Sequence, residues 1–184
     1  NRELKMKVKV NLSCLNFEVE SSKYILVTGH RRENFGQSFI DICDALKEIA
    51  LNNEDIEIVY PVHLNPNVQK PVNEILKDIK NVHLIEPLQY ETFIYLMRNS
   101  YFIITDSGGI QEESAFFKKP CIVCREKTER GEGLGDFSWL CQDPEQLEDL
   151  FHRLKDYKID SSLPCPYGDG YASEKILNVL KGEI

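Results

Sequence analysis

Short apolar runs of strand length alternate with segments of helical periodicity along most of this chain. The clearest run is Tyr24–Thr28, and residues 39–50 then repeat apolar side chains at i, i+3, i+4 and i+7. The other runs of strand length are residues 56–60, 82–85, 101–105 and 121–124, with a weaker one at 139–141. Further helices are predicted at residues 68–79, 90–99, from 109, from 143 and at 172–180. Strands that alternate with helices form right-handed βαβ units, so the sequence predicts an α/β fold with a Rossmann-like, doubly wound parallel sheet.

Length and charge exclude several classes of protein. The chain has 184 residues, enough to bury a core, and its 30 acidic residues against 22 basic ones give a net charge of −8. An acidic chain repels polyphosphate, which argues against nucleic acid and anionic membranes as partners. No apolar run approaches the roughly 20 residues that span a bilayer, and the first residues do not resemble a signal peptide. Because the sequence begins at Asn1, we expect an upstream part to be missing.

Cys121 and Cys124 have a CxxC spacing, which elsewhere marks a redox pair or half of a zinc site. The same four residues also have the character of a buried strand, in which residues i and i+3 point to opposite faces. No second CxxC is present in the sequence. We therefore expect structural thiols, no metal site and a reducing compartment, the cytoplasm.

The ligand of a doubly wound sheet lies beyond the carboxyl ends of its strands, so the loops there carry the candidate residues. After the strand that ends at residue 105, Gly108 and Gly109 permit close approach to a helix N-terminus, which favours phosphate. Ser107 can donate its hydroxyl to that phosphate or cap the helix, and Asp106 can cap it too. Glu113 lies one turn into the helix, where it can accept hydrogen bonds from a ribose diol. A capped turn with a solvated glutamate is the simpler interpretation.

Two histidines follow neighbouring strands. His30 can donate to a phosphate or transfer protons near neutral pH, and Arg31 and Arg32 can bind carboxylate or phosphate. A surface loop with Arg–Glu pairs explains the same residues. His63 follows the next strand, and the sheet is expected to bring it near His30.

Two further residues have both a functional and a structural interpretation. Arg130 begins a glycine-rich loop and can close over a diphosphate. Phe93 can stack on a base, although its spacing with Leu96 and Met97 favours the core face of a helix.

Five sequence blocks, in this order, resemble the C-terminal half of the non-hydrolysing UDP-N-acetylglucosamine 2-epimerases. The blocks are residues 27–36 (VTGHRRENFG), 59–68 (VYPVHLNPNV), 105–113 (TDSGGIQEE), 128–130 (TER) and 166–170 (PYGDG). The resemblance implies a glycosyltransferase-B architecture, in which two Rossmann-like domains enclose the active site. Residues 24–184 would be the UDP-binding domain, and residues 1–23 a preceding segment or linker.

The resemblance also implies roles for particular residues. Eight of them would contact UDP: His30, Leu88, Phe93, Ser107, Gly108, Gly109, Glu113 and Arg130. Leu88 and Phe93 would lie near the uracil, and His30 would also be catalytic. Arg31 and His63 would contact a second UDP-sugar that acts as an allosteric activator.

The reaction implied is conversion of UDP-N-acetylglucosamine to UDP-N-acetylmannosamine by elimination and re-addition of UDP, in polysaccharide biosynthesis. The resemblance implies no metal, nicotinamide or other cofactor, and a homodimer for full-length members. The family's essential carboxylates belong to an N-terminal domain that this chain lacks, so we expect the isolated chain to bind UDP weakly and catalyse little. Two alternatives remain open: a nucleotide-sugar-binding module without turnover, and the donor-binding domain of a glycosyltransferase.

Overall fold

A six-stranded parallel sheet forms the centre of the computed structural model, which describes residues 12–182. Its strands are β1 (Tyr24–Thr28), β2 (Glu57–Pro61), β3 (Val82–Ile85), β4 (Phe102–Thr105), β5 (Cys121–Cys124) and β6 (Ser138–Cys141). Their order in the sheet is β3-β2-β1-β4-β5-β6, and every neighbouring pair is parallel. The predicted doubly wound sheet is therefore confirmed, including the weakest run, which forms the edge strand β6.

Helices connect the strands and cover both faces of the sheet. They are α1 (Gln37–Asn52), α2 (Pro66–Leu76), α3 (Tyr90–Asn99), α4 (Gly108–Phe116), α5 (Leu147–Leu154) and α6 (Ala172–Lys181). The prediction of a helix to residue 79 was too long, because the Ile79 N–H bonds back to Leu76 in a turn. The helix expected from residue 143 begins as a 3₁₀ turn, Pro144–Gln146, in which Asp143 caps the Glu145 N–H. No helix within residues 12–182 has the length and apolar character needed to cross a membrane.

Side chains of β1 alternate between two cores, one on each face of the sheet. Ile25 and Val27 are buried in the first core, together with apolar residues of α1, α2 and α5. Tyr24 and Leu26 are buried in the second core, which α3 covers. Burial on both faces explains why this strand is continuously apolar rather than alternating.

Part of the segment before β1 also packs on the second core. Leu12, Leu15 and Val19 are buried there, so this stretch contacts the sheet domain. Residues 1–11 lie outside the described residues, and so does that part of the predicted N-terminal segment 1–23.

The order of the strands reverses between β1 and β4, and this determines where a ligand crevice can open. At the carboxyl end of this pair Thr28 lies opposite Thr105, and their hydroxyl oxygens are 2.5 Å apart. The loops that start at Gly29 and Asp106 are therefore neighbours at the topological switch point, the usual ligand position in such sheets.

The two cysteines of the CxxC sequence point in opposite directions. Cys121 is buried in the second core and Cys124 in the first, as predicted for residues i and i+3 of a strand. The two thiols cannot therefore converge on one ion. Burial raises the pKa of Cys121 and of Cys43 to about 12.

This burial predicts a large difference in thiol reactivity at pH 8. In the native chain, Cys14 is exposed and should react with an aromatic disulfide reagent as a free thiol does. Cys43 and Cys121 should react only after unfolding, because a buried thiol with so high a pKa presents almost no thiolate. The absorbance of the released thiolate, followed before and after addition of guanidinium, measures both phases.

The variant Cys14→Ser is the matched control and should lose only part of the fast phase. If the buried thiols reacted in the native chain as fast as Cys14, the assignment of both to the cores would be contradicted.

Candidate functional site

A cavity of about 280 Å³ opens at the carboxyl edge of the sheet, beside the switch point. Ten residues line it: Thr28, Gly29, His30, Pro61, His63, Pro87, Leu88, Phe93, Ser107 and Ile110. They include five of the predicted site residues, contributed by the ends of four segments that are distant in sequence. A larger cavity of about 390 Å³, beside Cys124 and Cys141, contains none of the predicted site residues.

One wall of the cavity is apolar. Leu88 and Phe93 form it with Pro87 and Ile110, and both are only partly buried. Phe93 also packs against the second core, so it is both part of the core face of α3 and part of the cavity lining. An apolar surface of this kind can stack against a planar ring.

The N-terminus of α4 also lines the cavity, through Ser107 and Ile110. Ser107 is the N-cap residue, but its side chain makes no capping hydrogen bond, and its own N–H donates to the Thr105 hydroxyl at 3.0 Å. The capping interpretation of Ser107 is therefore wrong, and its hydroxyl is left for a ligand. The first turn of α4 also lacks acidic residues, so its N–H groups and the positive end of the helix dipole favour an anion.

Asp106 does not cap α4 either. Its side chain turns to the loop after β1, where Oδ2 accepts hydrogen bonds from the backbone N–H groups of His30 at 2.9 Å and Arg31 at 2.8 Å. The Asn34 amide lies 3.5 Å from the same oxygen. The carboxylate therefore fastens the loop after β1 to the end of β4.

His30 and His63 lie against each other, as the sheet predicted. Their rings are stacked with centroids 5.2 Å apart and an angle of 11° between planes. The Asn65 N–H donates to Nδ1 of His63 at 3.1 Å, which requires the neutral ring to carry its proton on Nε2. The side chain of Arg31 does not line the cavity, and the ion pair in this loop joins Glu33 to Arg125 at 2.8 Å.

Arg130 does not line the cavity, but its guanidinium lies over the N-terminus of α4. A Cβ atom added to Gly108 would be 2.7 Å from Cζ of Arg130, so this close approach requires glycine. The guanidinium pairs with the carboxylates of Glu112 and Glu129, and these partners raise the pKa of Arg130. Ion pairs as exposed as these contribute about 0–1 kcal/mol, so an arriving anion can replace them at low cost.

The backbone next to Arg130 is held by residues to which the sequence analysis assigned no role. Gln111 is fully buried, and its amide donates to the Arg130 carbonyl at 3.0 Å and to the Ser138 hydroxyl at 2.9 Å. The Thr128 hydroxyl donates to the side-chain amide oxygen of Gln111 at 2.8 Å, and the Tyr167 hydroxyl donates to the backbone carbonyl of Arg130 at 3.0 Å. Gln111, Thr128 and Tyr167 each lie inside one of the sequence blocks shared with the family, which is the signal that could have found them, whereas Ser138 lies in none.

Glu113 lies at the rim and does not line the cavity. The hydroxyl of Tyr90, the first residue of α3, donates to its carboxylate at 2.9 Å. This hydrogen bond and the negative charge raise the pKa of Tyr90, although 64% of that residue is exposed. Tyr90 is a rim residue that the sequence analysis missed, since an exposed aromatic at a helix start has no distinguishing pattern.

Comparison with known proteins bears on the whole chain. Residues 2–181 match the family described as UDP-N-acetylglucosamine 2-epimerase. The chain is 54% identical over 183 residues to a UDP-N-acetylglucosamine 2-epimerase of Campylobacter jejuni, covering 95% of this chain and 48% of the relative. It therefore spans about half the length of this curated relative.

Solved structures agree with the sequence relatives. The UDP-GlcNAc 2-epimerase from Neisseria meningitidis, solved bound to UDP-GlcNAc, superposes with a TM-score of 0.88 at 36% identity, over 98% of this chain and 49% of that one. The MnaA protein of S. aureus, solved with UDP, superposes with a TM-score of 0.82 at 35% identity, over 96% of this chain and 51% of that one. The predicted fold class and family resemblance are both confirmed.

The contact between Tyr90 and Glu113 predicts a titration that can be measured directly. Replacing Glu113 by Gln should lower the pKa of Tyr90 towards its ordinary value of 10.0, because the carboxylate that disfavours the phenolate is gone. The ring carbon shifts of Tyr90 in a ¹³C-tyrosine-labelled chain, recorded against pH, report this value.

The variant Glu112→Gln is the control. It removes a neighbouring carboxylate of α4 that contacts Arg130 rather than Tyr90, and it should leave the Tyr90 titration unchanged. Equal effects of the two variants would contradict the specific hydrogen bond.

Proposed function

The chain belongs to the UDP-N-acetylglucosamine 2-epimerase family, and we propose that it is the UDP-binding half of such an enzyme. Residues 24–184 would be the nucleotide-binding domain, and residues 1–23 the segment that leads into it. The complete protein would convert UDP-N-acetylglucosamine to UDP-N-acetylmannosamine by eliminating UDP and adding it back on the opposite face, without a cofactor.

One observation carries this proposal. A single cavity joins an apolar wall, formed with Leu88 and Phe93, to the N-terminus of α4, which carries Ser107 as its N-cap. A nucleoside diphosphate matches these two features, because it has a planar ring at one end and anionic oxygens at the other. Two of the superposed relatives were solved with UDP-GlcNAc and with UDP, which supports the same class of ligand here.

Each predicted residue has a role in this proposal. The uracil would stack near Phe93 and Leu88. The ribose diol would replace the Tyr90 hydroxyl as the hydrogen-bond donor to the carboxylate of Glu113. Hydrogen bonds to charged groups contribute about 1.5–3 kcal/mol each, so the diphosphate end would provide most of the polar binding energy. The groups that would bind the diphosphate are the hydroxyl of Ser107, the backbone of Gly108 and Gly109, and the side chains of Arg130 and His30.

The same groups suit the proposed elimination step. Negative charge develops on the departing UDP, and a helix N-terminus together with a guanidinium stabilises charge at that position without reorganising. The step also needs a base for the proton on C2, and none of the ten described residues lining the cavity is Asp or Glu. We propose that the base comes from the other half of the full-length protein.

The exposed apolar face of the C-terminal helix α6 also supports the proposal that the full-length protein has a second half. In α6, the apolar side chains of Ile176, Leu177, Val179 and Leu180 are all exposed, and no residue of the helix is buried. An amphipathic helix is stabilised mainly by packing of its apolar face. We propose that the part of the protein corresponding to the unmatched half of its relatives covers this face.

The proposed activator site would lie at the side of the cavity that His63 lines. His63 lines the same cavity as His30, so a second UDP-sugar at His63 would lie directly beside the first ligand. Arg31 would reach this ligand from the rim. We also propose a homodimer and a cytoplasmic location, the latter because all six cysteines are free thiols.

A binding module without turnover is the second candidate function. The observation that favours it is the lack of a carboxylate among the described residues that line the cavity. Both candidates bind UDP, so they differ only in whether the C2 proton exchanges.

The proposal is tested by proton NMR of UDP-N-acetylglucosamine with the purified chain in D₂O, following deuterium entry at C2. The same measurement on the full-length protein separates the two candidates, because only the epimerase would exchange the C2 proton. We expect no exchange by the isolated chain, together with UDP-induced shifts in the protein spectrum. Exchange with formation of the manno epimer would overturn the proposal that a second half supplies the base. Absence of both exchange and UDP binding would overturn the site assignment itself.

A glycine substitution tests the role of Arg130. In Gly108→Ala the added Cβ displaces the guanidinium from the N-terminus of α4, so the affinity for UDP should fall about tenfold, or about 1.4 kcal/mol. Isothermal titration calorimetry measures the change. In Gly131→Ala the added Cβ meets nothing within 4 Å, and the affinity should stay within about twofold.

A double-mutant cycle with Arg130→Ala identifies the cause. If Gly108→Ala acts by displacing Arg130, its effect should largely vanish when Arg130 is already absent. Fully additive losses would mean that the alanine obstructs the ligand by itself.

A further inference from the structure

We propose that Asp106 is the positioning residue of His30. One oxygen of its buried carboxylate accepts hydrogen bonds from the loop, and the other accepts a hydrogen bond from Nδ1–H of His30, which leaves Nε2 directed at the ligand cavity. This inference deepens the proposed function, on which it rests for the identity of the ligand. It assigns to Asp106 a role that the sequence pattern, which indicates only a helix cap, does not contain.

The first observation is that only one of the two carboxylate oxygens of Asp106 has hydrogen-bond partners among the described residues. Asp106 is 2% exposed, and Oδ2 accepts from the backbone of His30 and Arg31. Oδ1 is buried and has no hydrogen-bond partner among the described residues. A buried acceptor without a partner costs about 1–3 kcal/mol, and more when it is charged, so a donor that reaches Oδ1 stabilises the site.

The second observation is that His30 is the donor within reach. Its Nδ1 lies 3.8 Å from Oδ1. Other polar groups nearby already have partners, because the Tyr60 hydroxyl donates to the Gly29 carbonyl at 3.2 Å and the Asn34 amide donates to the Cys124 carbonyl at 3.1 Å.

A small rotation of the His30 side chain closes the remaining gap. The side chain is 45% exposed and touches His63 by ring stacking alone, so it can move by about 1 Å to reach normal hydrogen-bond distance. The Nδ1 of His63 already accepts from Asn65, so His63 does not need a proton from His30. The rotation therefore satisfies Oδ1 without breaking an existing hydrogen bond.

The consequence for the ligand is a defined tautomer. When Nδ1 of a neutral imidazole donates to a carboxylate, Nε2 carries the lone pair, and the opposite arrangement requires Nε2–H. With Nδ1 held by Asp106, Nε2 is the nitrogen that faces the ligand. The carboxylate also stabilises the imidazolium, the form in which Nε2–H makes a charge-assisted hydrogen bond to a phosphate. A residue that only held the loop would have no effect on the tautomer.

The test is the tautomer of His30 in the ¹⁵N-labelled chain, read from long-range ¹H–¹⁵N correlations of the ring and assigned with His30→Gln. We expect Nδ1–H in the unsubstituted chain. In Asp106→Asn the amide oxygen can still accept the hydrogen bonds from the backbone N–H groups of the loop, while the NH₂ group faces Nδ1. Because an NH₂ group donates, Nδ1 must then accept, and the ring should change to the Nε2–H tautomer. The control Asn34→Ala removes an amide that lies near Oδ2 and donates to the Cys124 carbonyl, and it should leave the tautomer unchanged.

The outcomes separate this inference from the proposed function. An Nε2–H tautomer in the unsubstituted chain would overturn the inference, even if Asp106→Asn does not fold. An Nδ1–H tautomer that persists in a folded Asp106→Asn variant would overturn it too. UDP titration of the unsubstituted chain tests the proposed function separately. If UDP binds, Asp106→Asn should weaken its binding at least about fivefold, and Asn34→Ala less than about twofold.

Discussion

The buried carboxylate between β1 and β4 is the contact on which the candidate site depends. Taking a carboxylate out of water is costly unless hydrogen bonds replace the lost hydration. At Asp106 two backbone N–H groups of the loop after β1 do this, and they can do so only because the parallel register brings Thr28 opposite Thr105. The strand order therefore determines the loop conformation, and the loop conformation determines where the ring of His30 lies.

Local charge at this edge differs from the charge of the chain as a whole. The protein carries a net charge of −8, yet the described residues that line the cavity include two histidines and no carboxylate. Arg130 lies beside the N-terminus of α4 and is paired with the carboxylates of Glu112 and Glu129. Net charge governs long-range encounter, whereas the helix end and the guanidinium act at contact distance, so the two do not conflict.

Strand positions were predictable because burial on both faces of a parallel sheet leaves continuous apolar runs in the sequence, and helix positions because one buried face repeats apolar side chains at i, i+3, i+4 and i+7. The opposite directions of Cys121 and Cys124 followed from strand geometry alone. Capping by Ser107 or Asp106 was a local expectation, and neither side chain caps the helix. For Asp106 the reason is a partner distant in sequence, because the loop after β1 donates to its carboxylate. Gln111 and Tyr90 were missed for the same reason, since their partners lie in other segments. The roles of the individual site residues towards UDP remain predictions.

The sequence by itself determined the fold class, the family, the edge of the sheet at which the candidate cavity opens and five of the ten residues that line this cavity. These follow from apolar periodicity, from the rule for parallel sheets and from blocks of identical residues. Only the tertiary structure decided that Arg130 covers Gly108, that Glu113 binds Tyr90 at the rim, and that one oxygen of Asp106 faces His30. Each of these contacts joins residues at least 20 positions apart, and such distances depend on how helices and loops pack rather than on any local pattern in the chain.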